Sequence, residues 1–388
     1  MRRRLMRALG MIALALGMVI VGRGPLYAAD GSIRIGSFLA VTGPASFLGD
    51  PELKTLQMYI ELINTDGGVN GRQLELIHYD SQANPKNAVG FVKRLIDQDE
   101  VDIIIGGSAS GETLAVMPLV DKAEVPFISL AGSIKIIDPV QKWVFKTPHT
   151  DRMACQKIFE HMQGEGIQRI GMISGTGGFG KSMQGQCQEV AGDYGIEILA
   201  DETYGPKDTD MTAQLTKIKG TEGIQAVLNP GFGQGPAIVT KNFRQLGFEV
   251  PMYQSHGVAS KKYIELAGEA AEGVRLPAAA LLVADKLPDT DRQKPVVVAY
   301  KQAFEDRHGA GSVSTFGGHA YDALFMAVEA MQRCQCSDAA GVRDELEKTA
   351  GFMGTAGEVT MSPEDHLGLG LSAFRMLEVK GGDWALLD

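Results

Sequence analysis

Cysteine, tryptophan and positive charge are scarce in this sequence. Its 388 residues include four Cys, two Trp and 37 Lys plus Arg, against 47 Asp plus Glu. The shortage of cations excludes a nucleic-acid partner, which needs basic surface. The cysteines have no histidine or carboxylate cluster beside them at ligand spacing, so neither a metal nor another cofactor is expected. Past Val21 no apolar run is long enough to span a membrane. A nucleophile elbow is missing too: Gly106-Gly107-Ser108-Ala109-Ser110-Gly111 lacks the flanking pattern, and no Ser-His-Asp set accompanies it. His78, His149 and His256 therefore read as surface, core or pocket residues rather than general bases, and no enzyme activity is expected.

What the chain does have begins with a leader. Arg2, Arg3, Arg4 and Arg7 precede a nearly all-apolar stretch from Ala8 to Val21, and Leu26-Tyr27-Ala28-Ala29 offers a cleavage site. Residues 1–28 read as a secretory signal peptide, which predicts an exported, periplasmic, soluble chain. No cysteine lies near the cut, so a lipid anchor is not indicated. Removal of the five arginines up to Arg23 leaves 32 basic against 47 acidic residues, a net charge of −15. In an oxidising compartment the cysteines can pair. Cys155 and Cys187 each fall on an expected helix and are the first pairing to test. Cys334 and Cys336 are too close in sequence for an easy mutual bridge.

The mature length of about 360 residues exceeds a usual single domain. From Ser32 onward, strands alternate with helices: 33–39, 74–79, 102–106, 125–130 and 143–147, then 169–174, 196–200, 225–229 and 250–254. This rhythm means βαβ units and parallel sheets. Two such runs predict an α/β protein of two doubly wound lobes, with ligand held at the carboxyl ends of the strands. The expected division is 30–150 with 284–352 for the first lobe and 151–283 with 353–388 for the second, joined by hinge strands.

Two strand-to-helix loops compete for attention. In Asp102 to Ala115, an apolar run breaks at Gly106-Gly107 and passes through Ser108, Ser110 and Gly111 into a helical pattern. Backbone N–H groups and hydroxyls converge there on a spot where a carboxylate can sit. Gly175-Thr176-Gly177-Gly178-Phe179-Gly180-Lys181-Ser182 matches both the dinucleotide and the phosphate-loop patterns, with Asp201 and Glu202 about twenty residues on. Export away from nucleotide pools, and a following strand that ends in Asn229 rather than an acid, weigh against nucleotide and for a tight structural turn.

With these loops laid out, the chain resembles the periplasmic Leu/Ile/Val-binding proteins, the type I solute-binding components of ABC importers. The resemblance runs from about Ile33 to the C-terminus. It rests on Thr42-Gly43-Pro44, on Ile63-Asn64 with Gly67-Gly68-Val69-Asn70-Gly71, on the Ser110-Gly111 loop, on Val125 to Ser129, on Tyr321-Asp322-Ala323 and on Ser362 to His366. The resemblance implies a non-catalytic, monomeric protein that captures an amino acid or related small carboxylate and presents it to a membrane permease. A periplasmic sensing module with the same fold is the alternative. It also implies a site: Ser110 and Ser133 on the carboxylate, Ala131 by its backbone, Asp151 near the lobe junction, Phe179 and Phe232 as walls from the second lobe, and Leu48 where an aromatic is usual. His256 stands where amino-acid binders place an acid to pair with the ligand ammonium. A neutral histidine supplies no fixed negative charge, so a carboxylate without an amine becomes an expected ligand class.

Overall fold

The computed structural model describes residues 31–387, so the signal-peptide reading of residues 1–28 lies outside the described residues. Two parallel sheets organise the chain. The first contains β1 (Ile33–Leu39), β2 (Leu74–Asp80), β3 (Ile103–Gly106), β4 (Phe127–Ser129) and β5 (Val144–Lys146), in the order β2-β1-β3-β4-β5. All its pairings are parallel. The second contains β6 (Arg169–Gly175), β7 (Glu197–Tyr204), β8 (Ala226–Asn229), β9 (Met252–Gln254) and β10 (Arg275–Ala279). After a short hairpin of β11 (Phe352–Met353) and β12 (Glu358–Val359), the chain adds β13 (Phe374–Lys380) and β14 (Asp383–Leu386) to that second sheet. Its order is β14-β13-β10-β9-β8-β6-β7, with β13 antiparallel to both of its neighbours.

The central strands are buried on both faces, while the edge strands β2 and β7 are partly exposed. In β3 all four residues are buried. Parallel strands covered by helices read as such continuous apolar runs. At the end of β3 two glycines are required by contact: a Cβ at Gly106 would lie 2.8 Å from the Phe38 carbonyl oxygen, and Gly107 has a φ of +72°. Both sheets reverse strand order, the first between β1 and β3 and the second between β6 and β8. Ligands bind at such switch points, beyond the carboxyl ends of the strands.

The chain crosses between the sheets after β5, after β10 and before β13. The last crossing comes later than the boundary expected at 353. Asp322 is the cause of part of this, because its carboxylate accepts from the N–H groups of Thr355 at 2.6 Å and Ala356 at 2.9 Å. Farther on, Lys146 N–H donates to the His366 carbonyl at 3.1 Å, which keeps the segment through His366 against β5.

Both pairs of cysteines are bridged. Cys155 and Cys187 join the helices Asp151–Gly164 and Gly178–Val190, as expected from their placement. Cys334–Cys336 is also a disulfide, and it corrects the expectation that two residues so close would not pair. The intervening Gln335 lies in the left-handed region at φ 52° as it ends the helix Thr315–Cys334. That turn brings the two Cα atoms to 5.1 Å, inside the usual disulfide range.

Loss of these bridges has unequal consequences. Replacing Cys155 and Cys187 by alanine should lower the unfolding free energy by roughly 3–4 kcal/mol on loop-closure grounds, and replacing Cys334 and Cys336 by only about 1 kcal/mol. Urea unfolding followed by circular dichroism measures both; equal losses would contradict the loop-length argument.

Candidate functional site

The carboxyl edges of the two sheets face one another across a small cavity of about 40 Å³. From the first lobe come Ser108, Ala109 and Ser110 after β3, Leu130 and Gly132 after β4, Leu48 from the helix Ser46–Thr65, and Phe316 and His319 from the helix Thr315–Cys334. From the second come Phe179 after β6, Phe232 after β8, and His256 and Gly257 after β9, with Pro148 at the first crossing. The mixture of apolar walls with a few aimed polar groups is the usual composition of a ligand pocket.

The structure brings Leu48, Ser110, Phe179, Phe232 and His256 together on this cavity. Phe179 meets Phe232 edge-on at 6.1 Å and His256 edge-on at 5.3 Å between ring centres. The other four expected residues are placed differently. Ser133 caps the turn Ile134–Ile136, accepting from Lys135 N–H at 3.2 Å. Its hydroxyl then reaches across to Ser182 Oγ at 2.6 Å, so it serves as a cap and an interlobe contact rather than as lining. Ala131 is buried behind the surface with its N–H on Ser129 Oγ at 3.2 Å; the neighbouring Gly132 lines the cavity instead. Asp151 is the first residue of its helix, while Thr150 is the cap, accepting from Met153 N–H at 3.0 Å. Asp151 holds Ile134 N–H at 2.8 Å and is raised by burial.

Gly111 has a third role. A Cβ built on Gly178 would come within 2.8 Å of the Gly111 Cα and N. The first turns of the helices Ser110–Ala123 and Gly178–Val190 thus meet backbone to backbone across the cleft. The phosphate-like turn is accordingly filled by the opposite lobe. Its Gly180 is required because a Cβ there would sit 2.1 Å from the Gly175 oxygen, and its Lys181 side chain is exposed.

Sequence reasoning missed Ser108, Phe316 and His319. The latter two lie about 200 residues beyond the Ser110 loop. One local signal existed: an aromatic and a histidine three apart share a helix face, here around a Gly-Gly pair at the helix start. Those glycines let the helix pack closely, since Cβ atoms at Gly317 and Gly318 would meet Tyr300 Oη at 2.3 Å and Thr355 Oγ1 at 2.5 Å.

The lining residues include no Asp or Glu. Its ionisable groups are held neutral by burial. Desolvation, with the nearby Lys146 charge, pushes His149 down to about 3. His256 and His319 are likewise held well below the ordinary imidazole value by desolvation and by their basic neighbours. Lys146, buried beneath them, is pulled down to about 7 by desolvation against the opposing pull of Asp151; its Nζ donates to the His149 carbonyl at 3.3 Å. Phe374 stacks on His149 with ring centres 3.9 Å apart. The lining therefore offers imidazole donors and acceptors and no acid, with Lys146 and Asp151 buried behind it.

A sequence model of periplasmic binding proteins matches residues 32–383, nearly the whole described chain. The chain belongs to the periplasmic binding protein family. It is similar to the leucine-, isoleucine-, valine-, threonine- and alanine-binding protein of Pseudomonas aeruginosa, at 26% identity over 85% of this chain and 86% of that one. Among solved structures, an extracellular ligand-binding receptor from Rhodopseudomonas palustris superposes at a TM-score of 0.86, with 24% identity over 92% of this chain and all of that one. A branched-chain amino acid transporter substrate-binding protein from Streptococcus pneumoniae, in complex with isoleucine, superposes at 0.81, with 24% identity over 92% of this chain and 98% of that one. As a periplasmic binding protein the chain has its cleft where this family holds solute, between the lobes.

The neutral histidines make stability of this binding protein fall in acid. His149 protonates at its ordinary value when unfolded but only near 3 when folded, so between those limits the unfolded state takes up protons that the native state refuses. Going from about pH 7 to about pH 5 should remove on the order of 2 kcal/mol through His149 alone. Thermal unfolding of the wild type and of His149→Gln checks this: the variant should lose less stability over that interval.

Proposed function

We propose that this protein is the periplasmic, solute-binding component of an ABC importer, and that it captures a small monocarboxylate between its lobes. The single observation that carries the ligand class is the convergence of Ser108, Ser110 and the amino-terminal turns of two helices on one acid-free cavity. Backbone N–H groups at helix starts favour an anion, and the hydroxyls add directed donors. The lobes close by hinge motion at the three crossings, taking residues through His366 with the first lobe. The closed monomer is then presented to a membrane permease. The export leader and the family support this placement.

At the other end of the ligand, Phe179, Phe232, Phe316, Leu48 and Leu130 provide an apolar jacket, with His256 and His319 as the polar exceptions. A desolvated ammonium next to neutral imidazoles and a buried lysine would lack compensation. This favours an aliphatic or aromatic carboxylate without an amine. The relatives whose names record branched-chain amino acids support the size of the ligand, and the absence of a lining carboxylate supports a ligand without an α-amino group.

Calorimetry with leucine and with isocaproate, which is leucine without its amino group, discriminates the two classes. Isocaproate should bind at least about tenfold more tightly; tighter binding of leucine would sink the amine-free reading. Ser110→Ala should weaken the binding of either by about ten- to a hundredfold, the usual effect of losing one hydrogen bond to a charged group.

A further inference from the structure

Behind the cavity wall lies a carboxyl group that no charge neutralises. Glu52, in the helix Ser46–Thr65, is completely buried. Its Oε2 is hydrogen-bonded to the hydroxyl of Ser108, and its Oε1 is buried with no hydrogen-bond partner. From the elements packed around it, the ionisable group that acts on it is Glu112 of the helix Ser110–Ala123, a charge of the same sign. Glu112 is itself raised to about 7 by burial, with Asp80 beyond it raising it further. On Glu52's own helix, Lys54 is committed to Asp50 at 2.7 Å. An ionised, half-unpartnered carboxylate here would bear a large desolvation penalty, and a proton relieves it.

The position of that proton decides what Ser108 can do. A serine hydroxyl has one donor and two acceptor sites. One acceptor site of Ser108 is filled by the Ala40 N–H at 3.0 Å. If Glu52 were ionised, Ser108 would have to give it the hydroxyl proton and would show the cleft a lone pair, repelling a ligand carboxylate. If Glu52 is protonated, it donates to the second acceptor site, and the Ser108 O–H is free to turn into the cleft. Ser110 is arranged in the same sense, since its Oγ accepts from Ser133 N–H at 3.1 Å and so can donate toward the cavity.

We propose that Glu52 is a positioning residue: it stays protonated, donates its hydrogen bond to Ser108, and thereby makes Ser108 a donor to the ligand carboxylate. The proton remains on Glu52 throughout, and no bond other than hydrogen bonds is made or broken. This role rests on the carboxylate-ligand reading above, but the state of Glu52 can be read with no ligand at all. It also makes ligand affinity depend on pH through a residue that does not touch the ligand.

Infrared difference spectroscopy of the full mature protein at about neutral pH, wild type minus Glu52→Gln, tests the proton directly. The carbonyl stretch of a protonated carboxylic acid should be present in the wild type and lost in the variant. Its absence from the wild type would overturn the proposal. If Glu52→Gln fails to fold, Ser108→Ala serves instead, and the same band should move as its hydrogen bond is lost; an unmoved band overturns the pairing. Thermal unfolding gives a second reading. A carboxyl that keeps its proton when folded but gives it up when unfolded destabilises the native state progressively as pH rises above its unfolded value. Glu52→Gln should therefore match the wild type in acid and exceed it in melting temperature at about pH 8, whereas a loss of stability that grows with pH would mean an ionised, stabilising Glu52.

Binding of isocaproate completes the test. Wild-type affinity should fall more steeply than that of Glu52→Gln as pH is raised from about 6 to about 9, the loss of the Lys146 charge weakening both alike, and Glu52→Leu should bind about ten- to a hundredfold more weakly than either at low pH. Equal affinity of Glu52→Leu and the wild type would overturn the positioning role. If isocaproate fails to bind even the wild type, the ligand reading fails while the infrared band still decides the protonation of Glu52.

Discussion

Two helix amino termini pointing at each other is the arrangement on which the rest of the cleft depends. The starts of Ser110–Ala123 and Gly178–Val190 touch through Gly111 and Gly178. Each start carries a partial positive charge of roughly half an elementary unit. Brought together, these ends favour something negative beside them. The protein supplies part of it: Glu112, in the first turn of Ser110–Ala123, accepts from the Ala109 N–H at 3.0 Å. The cavity lining itself adds no acid. The glycine requirement follows from the same geometry, because any side chain at 178 would hold the helix ends apart and leave the cleft ajar.

Around that contact the interior is built from ionisable residues whose charged forms burial penalises. His149, His256 and His319 are held unprotonated, and Glu112 and Asp322 are each raised to about 7 by burial. The neutral histidines give directional hydrogen bonds without committing the cavity to a fixed charge. Asp322 illustrates the structural use: it stays buried because two backbone N–H groups meet it, and it pins the segment at Thr355 to the first lobe. His256 and His319 are turned to the cavity instead. Whether such a residue is structural or ligand-facing depends on which lobe edge it reaches, which burial alone does not reveal.

The sheets were legible because parallel strands buried on both faces leave continuous β-branched runs such as Ile103-Ile104-Ile105, bounded by glycine. The parallel strand β10 and the antiparallel β13 and β14 were not, and for the last two a C-terminal segment that returns to a distant sheet leaves no local period to mark its partner. In the site, Ser110, Phe179, Phe232 and His256 were readable because each follows a strand directly, where an α/β fold must place its ligand. Ser133 and Asp151 follow strands or crossings too, but the Ser133 hydroxyl and Asp151 Oδ1 accept from nearby backbone N–H groups. That competition between capping and binding is invisible in residue type alone. Phe316 and His319 were hidden by distance along the chain. Glu52 was hidden by its company, a charged residue in a helix whose other charged residues are not buried.

The Cys155–Cys187 bridge ties the helix that begins just after the first crossing to the helix whose first turn forms the cleft wall. Rotation applied where the chain enters the second lobe is transmitted to Gly178 and Phe179 through covalent bonds as well as through packing, so hinge and wall act as one lever. That lever is assembled only after the thiols are oxidised. With those thiols reduced, hinge and wall would be coupled through packing alone.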